Sequence, residues 1–203
     1  FGPSHYNDLF RCEEPYFSSR GKGDISQFVE KYIENYEKSD KKGLICIPSG
    51  NHDMDRLARS IKGDELKVAF AFLLSMPGAP FIYYGDEIGM QGYADPFNRG
   101  CFIEENAEKS LLEHYRKLGS IRTENTCFKE GGFEFISCER ACIAFKRFDE
   151  NEEILVIANR NETDIEYYLH EEWHSASVLM GAESCSYFVK VPKTGAVILK
   201  RQK

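Results

Sequence analysis

Apolar side chains at Ile25, Phe28, Val29, Tyr32, Ile33 and Tyr36 recur at i, i+3, i+4, i+7, i+8 and i+11. That stripe predicts a helix over 24–37 lying on a core. Asp24 stands where an N-cap belongs, and Gln27 three residues later completes a capping-box pattern. A charged linker, Lys38–Gly43, closes the helix. Leu44–Ile47 is then apolar without alternation, which predicts a strand covered on both faces as in a parallel sheet. Pro48 and Gly50 stop it. Asp64–Met76 reads as a second helix with Asp64 as its cap, apolar almost all round from Val68 onward and hence deeply buried. Pro77-Gly78 ends it, and Phe81–Tyr84 predicts a second buried strand ending at Gly85. Strand, helix, strand implies a right-handed parallel crossover. In such units the loops at the carboxyl ends of the strands carry the chemistry, so 51–56 and 86–99 should share one rim. Asn106–Glu124 predicts a further helix with Leu111, Leu112, Tyr115, Leu118 and Ile121 as its buried stripe.

From Cys127 the period changes. Seven short runs of β-formers between Phe133 and Leu199 are separated by turn residues such as Glu150-Asn151, Gly181 and Lys193–Gly195. This pattern predicts a compact antiparallel β-sandwich. The fold class is therefore α/β followed by all-β, with a boundary near 126 that divides the chain into 1–126 and 127–203. Residues 1–23 show no period and read as a loop. A self-contained domain seldom opens so irregularly, and the first residue is Phe1, so the chain is expected to be a piece of something longer.

Composition narrows the function classes. The 203 residues carry a formal net charge of −7, and no basic run is longer than Lys41-Lys42 apart from Lys200-Arg201. A phosphate-backbone binder needs clustered Lys and Arg, so no nucleic-acid partner is expected. No apolar stretch approaches the ~20 residues of a membrane span and no signal peptide is visible, so no membrane partner is expected. Seven cysteines, an odd number without a Cys-x-x-Cys pair, suggest reduced thiols and a cytoplasmic protein. A Cys138–Cys142 bridge across a tight hairpin is conceivable.

Asn51-His52-Asp53 is the sharpest local feature. Gly50 before it permits a tight backbone, and Asp55 and Arg56 follow. A carboxylate beside a His on a strand-end loop can bind sugar hydroxyls, position a water or hold a metal. The plainer alternative is an Asx turn capping its own backbone. The other histidines (His5, His114, His170, His174) have no ligand spacing, so no metal and no cofactor are expected. Of Asp86-Glu87, the plainer reading is that one carboxylate pins its loop. Arg99 can hold a carboxylate or a sugar bidentately, or fix its loop. Trp173, beside His170 and His174, either stacks on sugar or packs in the core. No phosphate-cradling loop and no Ser nucleophile elbow is present.

The motifs GNHDMDR (50–56), PGAPFIYYGDEIGM (77–90) and DPFNR (95–99), in this order and spacing, closely resemble the alpha-amylase family of glycoside hydrolases. The helix ending YRKLGSIR (115–122) and a β-sandwich after the barrel continue the likeness. The resemblance implies the C-terminal part of a (β/α)8 TIM barrel: strand seven at Ile45–Ile47, strand eight at Phe81–Tyr84, helices six to eight around them. It implies that Asp53 is the family's third carboxylate, which holds sugar hydroxyls at the scissile bond and stabilises the oxocarbenium-like transition state. His52 matches the neighbouring sugar-binding His. Arg56 and Arg99 fall where members have substrate-side or loop-fixing arginines, and Asn51 is expected to bind substrate beside His52. The implied partners are an alpha-glucan or maltooligosaccharide and the N-terminal half of the barrel, or a homo-oligomer covering exposed barrel edges. The sequence also departs from the family. The retaining reaction needs a nucleophile and a general acid/base, which the family draws from strands four and five, and neither is identifiable here. Arg147-Phe148-Asp149 lies in the sandwich region and does not match the nucleophile block. The chain alone is expected to be inactive; its alternative role is a non-catalytic carbohydrate-binding or structural module.

Overall fold

A computed structural model describes residues 25–38, 46–93, 95–139 and 141–203. The expected loop 1–23, the Asp24–Gln27 capping box, the linker after Lys38, and Leu44 and Ile45 of the first strand lie outside the described residues. Four helices and nine strands are formed among those described. Helix α1 is Ser26–Lys38 and strand β1 is Cys46–Pro48. Helices α2 (Leu57–Ser60) and α3 (Asp64–Ser75) lead to β2 (Ala79–Phe81), and α4 is Lys109–Glu124. Then come β3 (Gly132–Glu139), β4 (Cys142–Phe148), β5 (Glu152–Asn159), β6 (Ile165–Tyr168), β7 (Ser177–Met180), β8 (Phe188–Val191) and β9 (Gly195–Gln202).

β1 and β2 pair in parallel with Ile47 opposite Pro80, so the crossover expected from the hydrophobic pattern is present. Three details differ from expectation. The cap of α3 is Gly63 rather than Asp64. The chain enters this helix at φ 55°, a conformation that a residue without Cβ adopts without strain. Asp64 instead sits in the first turn, where its charge favours the helix dipole and meets Lys67 Nζ at 3.0 Å. β2 also lies earlier than Phe81–Tyr84. The Tyr83 amide donates to the Ser49 hydroxyl at 3.1 Å and Asp86 N to Tyr83 O, which bends the chain out of the strand before Gly85. Finally, the two strands are not covered on both faces. Ile47 is buried, but Cys46 is exposed and Phe81 is 47% exposed.

Strands β3-β4-β5-β9-β7 form an antiparallel sheet, and β6-β8 form a second, two-stranded one. Alternate residues of the central strands enter two cores. Ile143, Phe145, Ile154, Val156 and Ile198 join α1, α3 and α4 in one apolar cluster. Ala144, Leu155, Ile157, Val197 and Leu199 join Val189, Val191 and Trp173 in the other. The layers therefore run helices, five-stranded sheet, two-stranded sheet. Because both faces of β5 are covered, it reads as a nearly unbroken apolar run although its neighbours are antiparallel. Trp173 is 5% exposed beneath the Arg201 guanidinium, so it packs and does not present a sugar platform. Cys142 is a free thiol opposite Glu139, so the conceivable Cys138–Cys142 bridge is not formed.

Two arginines brace this packing, Arg122 half-buried and Arg147 buried. Arg122 of α4 donates to the carbonyls of Leu74, Met76 and Gly78, satisfying orphan acceptors at the end of α3. Arg147 of β4 donates to Gly132 O, Ser75 O and Cys127 O within 3.2 Å. Burial lowers its pKa to about 10. Close by, Glu152 accepts from Lys200 Nζ and from the Cys127 amide. Burial pushes the Glu152 carboxyl up, but these donors outweigh it and its pKa is lowered. A lowered folded-state pKa adds stability above the unfolded value of 4.5, which is lost as pH falls through the folded value. The urea midpoint is expected to drop on acidification below about 4.5, and more gently in Glu152→Gln, which removes this contribution.

Candidate active-site rim

The Gly50–Arg56 turn leaves β1 at its carboxyl end. Asn51 Oδ1 accepts the Asp53 amide at 2.8 Å, and Met54 N donates to Asn51 O, so the Asx turn is formed. Asn51 thereby spends its side-chain oxygen on the backbone and leaves the Asp53 carboxylate out of it. That carboxylate is 35% exposed; Oδ2 lies 3.3 Å from His52 Nε2 and Oδ1 lies 3.8 Å from Arg99 Nη2. Arg99 is braced in turn by Asp95 at 2.8 Å and by His52 O at 3.2 Å. The structure thus brings Asn51, His52, Asp53 and Arg99 together from the two loops that the crossover places side by side.

Arg56 is placed differently. It is 1% exposed and lies beneath the rim. Its Nη1 donates to Tyr84 O at 2.6 Å and to Asp86 Oδ1 at 3.1 Å, and its Nε donates to Asn98 O at 2.9 Å. The rings of Tyr83 and Tyr84 lie 4.5 and 4.6 Å from the guanidinium carbon. Of its two candidate roles, only loop fixing is compatible with this burial. Asp86 is the carboxylate that pins the second loop. It accepts the Ser49 hydroxyl through Oδ2, and burial raises its pKa against the opposing pull of Ser49 and Arg56.

Asn98 supports the Asp53 turn, and the sequence alone did not single it out. Wholly buried, its Nδ2 donates to His52 O at 2.7 Å and Met54 O at 2.8 Å, so it clamps the Asp53 turn from behind. Its signal was a polar residue between Phe97 and Arg99, but nothing local shows which way it points. Gly92 belongs to the same clamp: a Cβ there would fall 2.7 Å from Phe97 O, so only glycine lets the strands of loop meet. A cavity of about 380 Å³ lined by Ile88, Met90, Gln91, Cys101, Ile103 and Asn106 opens beside the second loop and does not include Asp53.

The rim offers a partly exposed carboxylate flanked by an imidazole and a guanidinium. Such a set can accept hydrogen bonds from vicinal hydroxyls and face a developing positive charge. Double displacement calls for two carboxyl groups in other roles, a nucleophile and a general acid/base. Among the described residues no three His, Cys, Asp or Glu side chains converge as metal ligands.

An α/β unit with a strand-end carboxylate, joined to a layered β region, defines the class. Comparison with known proteins adds the family. Residues 17–107 match the family model "Alpha amylase, catalytic domain". The chain is 38% identical over 126 residues to a cyclomaltodextrinase of Thermoanaerobacter pseudethanolicus, covering 60% of this chain and 22% of that protein. It is 37% identical over 128 residues to a maltogenic alpha-amylase of Bacillus acidopullulyticus, covering 59% and 22%. An Anoxybacillus alpha-amylase structure superposes with a TM-score of 0.80 at 24% identity, over 91% of this chain and 44% of the other. The resemblance carried by the motifs is thus matched by the alpha-amylase family model over residues 17–107, and the chain spans about a fifth of the length of these curated relatives. Among the described residues no helix is long and apolar enough to cross a membrane.

Proposed function

We propose that the chain supplies one flank of the active site of a retaining alpha-glucan-active glycoside hydrolase or transglycosylase. In this reading β1 and β2 are the seventh and eighth strands of a (β/α)8 barrel, and α1, α3 and α4 are its last helices. Residues 127–203 form the β-sandwich that follows, and 1–126 the end of the barrel. Asp53 holds two hydroxyls of the glucosyl unit at the scissile bond and stabilises the oxocarbenium-like transition state. His52 and Arg99 orient its carboxylate and reach the same sugar. Asn51 shapes the turn, and Arg56 with Asn98 fixes it from below. No cofactor takes part.

The observation that carries this reading is the Asp53 carboxylate, free of the backbone and partly open at the end of a parallel strand, between His52 and Arg99. The names of the relatives, cyclomaltodextrinase and maltogenic alpha-amylase, support alpha-glucans as the substrate class. An intracellular maltogenic amylase of Bacillus subtilis, 37% identical over 90 residues, supports a cytoplasmic setting. The exposed Cys46 and Phe81 mark the face on which the N-terminal half of the barrel, or a second copy, would pack.

Nucleophile and general acid come from outside these 203 residues. The purified chain is therefore expected to release no reducing sugar from maltoheptaose. Hydrolysis with retention of anomeric configuration by the chain alone would overturn the proposal.

A further inference from the structure

The outer face of the two-stranded sheet carries aromatic rings that no core uses. On β6, Ile165 and Tyr167 pack against the second core while Glu166 and Tyr168 point outward. Tyr168 pairs with Phe188 of β8, and Glu166 with Lys190. Tyr187 precedes β8. Tyr168 is 67% exposed and Tyr187 59%. The three rings touch: centroids are 6.4 Å apart for Tyr168 and Tyr187, 6.1 Å for Tyr168 and Phe188, and 5.0 Å for Tyr187 and Phe188. The Tyr168 hydroxyl donates to Glu166 Oε2 at 3.3 Å, and Lys190 Nζ meets Asp164 at 2.8 Å. Aromatic faces and charged hydrogen-bonding groups thus alternate on one surface of the two-stranded sheet.

We infer that Tyr168, Tyr187 and Phe188 form a second, non-catalytic platform for an alpha-linked glucan. A pyranose ring has an apolar face of C–H bonds and a rim of hydroxyls. An exposed ring matches the first, and the Glu166 carboxylate and Lys190 ammonium beside it match the second. A purely apolar protein partner would bury the Glu166 carboxylate and the Lys190–Asp164 ion pair with no new hydrogen bonds to offset their desolvation. The Tyr168 and Tyr187 rings are inclined by 39° and the Tyr168 and Phe188 rings by 44°. Consecutive glucosyl units stacked on them would be turned relative to one another, as along a curved alpha-1,4 chain and unlike a flat beta-1,4 ribbon. Trp173 is excluded from this role by its burial. The choice of sugar rests on the alpha-glucan reading above, while the site is independent of Asp53.

The test is affinity electrophoresis of the 203-residue chain in native gels containing soluble starch, with hydroxyethylcellulose gels in parallel. Starch is expected to retard the chain and hydroxyethylcellulose to leave it unretarded. Tyr168→Ala combined with Tyr187→Ala should weaken the apparent starch affinity at least tenfold with an unchanged thermal midpoint, because both side chains are exposed. Asp53→Asn should retain the retardation. Three results would overturn the inference: no retardation of the wild-type chain by starch, equal retardation by cellulose, or retardation surviving the double substitution. A fourth is self-association abolished by the double substitution without starch retardation, which would make the patch a contact between copies. Loss of retardation in Asp53→Asn alone would place glucan at the strand-end rim instead, which contradicts the platform and leaves the active-site reading standing.

Discussion

Arg56→Met is expected to destabilise the fold by about 3–5 kcal/mol, the cost of breaking a buried ion pair by removing one partner. The guanidinium contributes more than its charge. It bonds Tyr84 O, Asn98 O and Asp86, and it lies between two tyrosine rings. Methionine fills the space but leaves the carboxylate of Asp86, itself 2% exposed, without its cation. The Asp86 pKa is already raised above its ordinary 3.8 by burial. A raised carboxyl means that the folded state holds its proton more tightly than the unfolded state, so stability declines as pH rises through that window. Removing Arg56 takes away one of the groups opposing the shift, so the deficit should be larger at pH 7 than at pH 4. Asp86→Asn should cost less, because Arg56 keeps its carbonyl acceptors and Ser49 keeps a partner. Urea unfolding of both single variants and the double variant gives the coupling directly. A loss below 1 kcal/mol in Arg56→Met, independent of pH, would show that the pair does not hold the rim.

Much of this architecture was legible because its elements are governed by period. The stripe Ile25–Tyr36, the apolar helix through Val68–Ser75 and the seven β runs follow from where side chains must be buried, and all lie within a few residues of their observed positions. Two boundaries moved for reasons that depend on distant partners. β2 ends at Phe81 because Ser49, on the other loop, captures the Tyr83 amide. The start of α3 moved because of a positive φ at Gly63. The site was legible as a motif but not as a division of labour. Asn51 to Asp53 and Arg99 converge as their spacing suggested. Arg56, four residues from His52, turns inward to a carboxylate 30 positions later. Asn98 carries the turn on its amide, which only the folded approach of the two loops reveals. Trp173 shows the same limit from the other side: neighbouring histidines marked it in the sequence, yet the second core takes it, and the exposed rings are tyrosines that nothing local distinguished.

The role proposed for Asp53 carries the largest expected effect on activity. In a retaining mechanism the glucosyl ring gains positive charge as the bond breaks. A carboxylate fixed beside it is worth more in that state than in the ground state, which is the condition for raising kcat. The surrounding groups are suited to this. Asn98 and the Asx turn fix the backbone, and His52 and Arg99 restrict the carboxylate without sealing it from solvent. Asparagine keeps the shape and removes the charge. The most direct measurement replaces the matching segment of the Thermoanaerobacter pseudethanolicus cyclomaltodextrinase with residues 44–126 of this chain. It then compares the hybrid with its Asp53→Asn form on a cyclomaltodextrin. The account predicts an active hybrid whose kcat falls by about 10³-fold on substitution, roughly 4 kcal/mol of transition-state stabilisation, with KM changed by less than tenfold. An Asp53→Asn hybrid that folds and turns over within tenfold of its parent would contradict it.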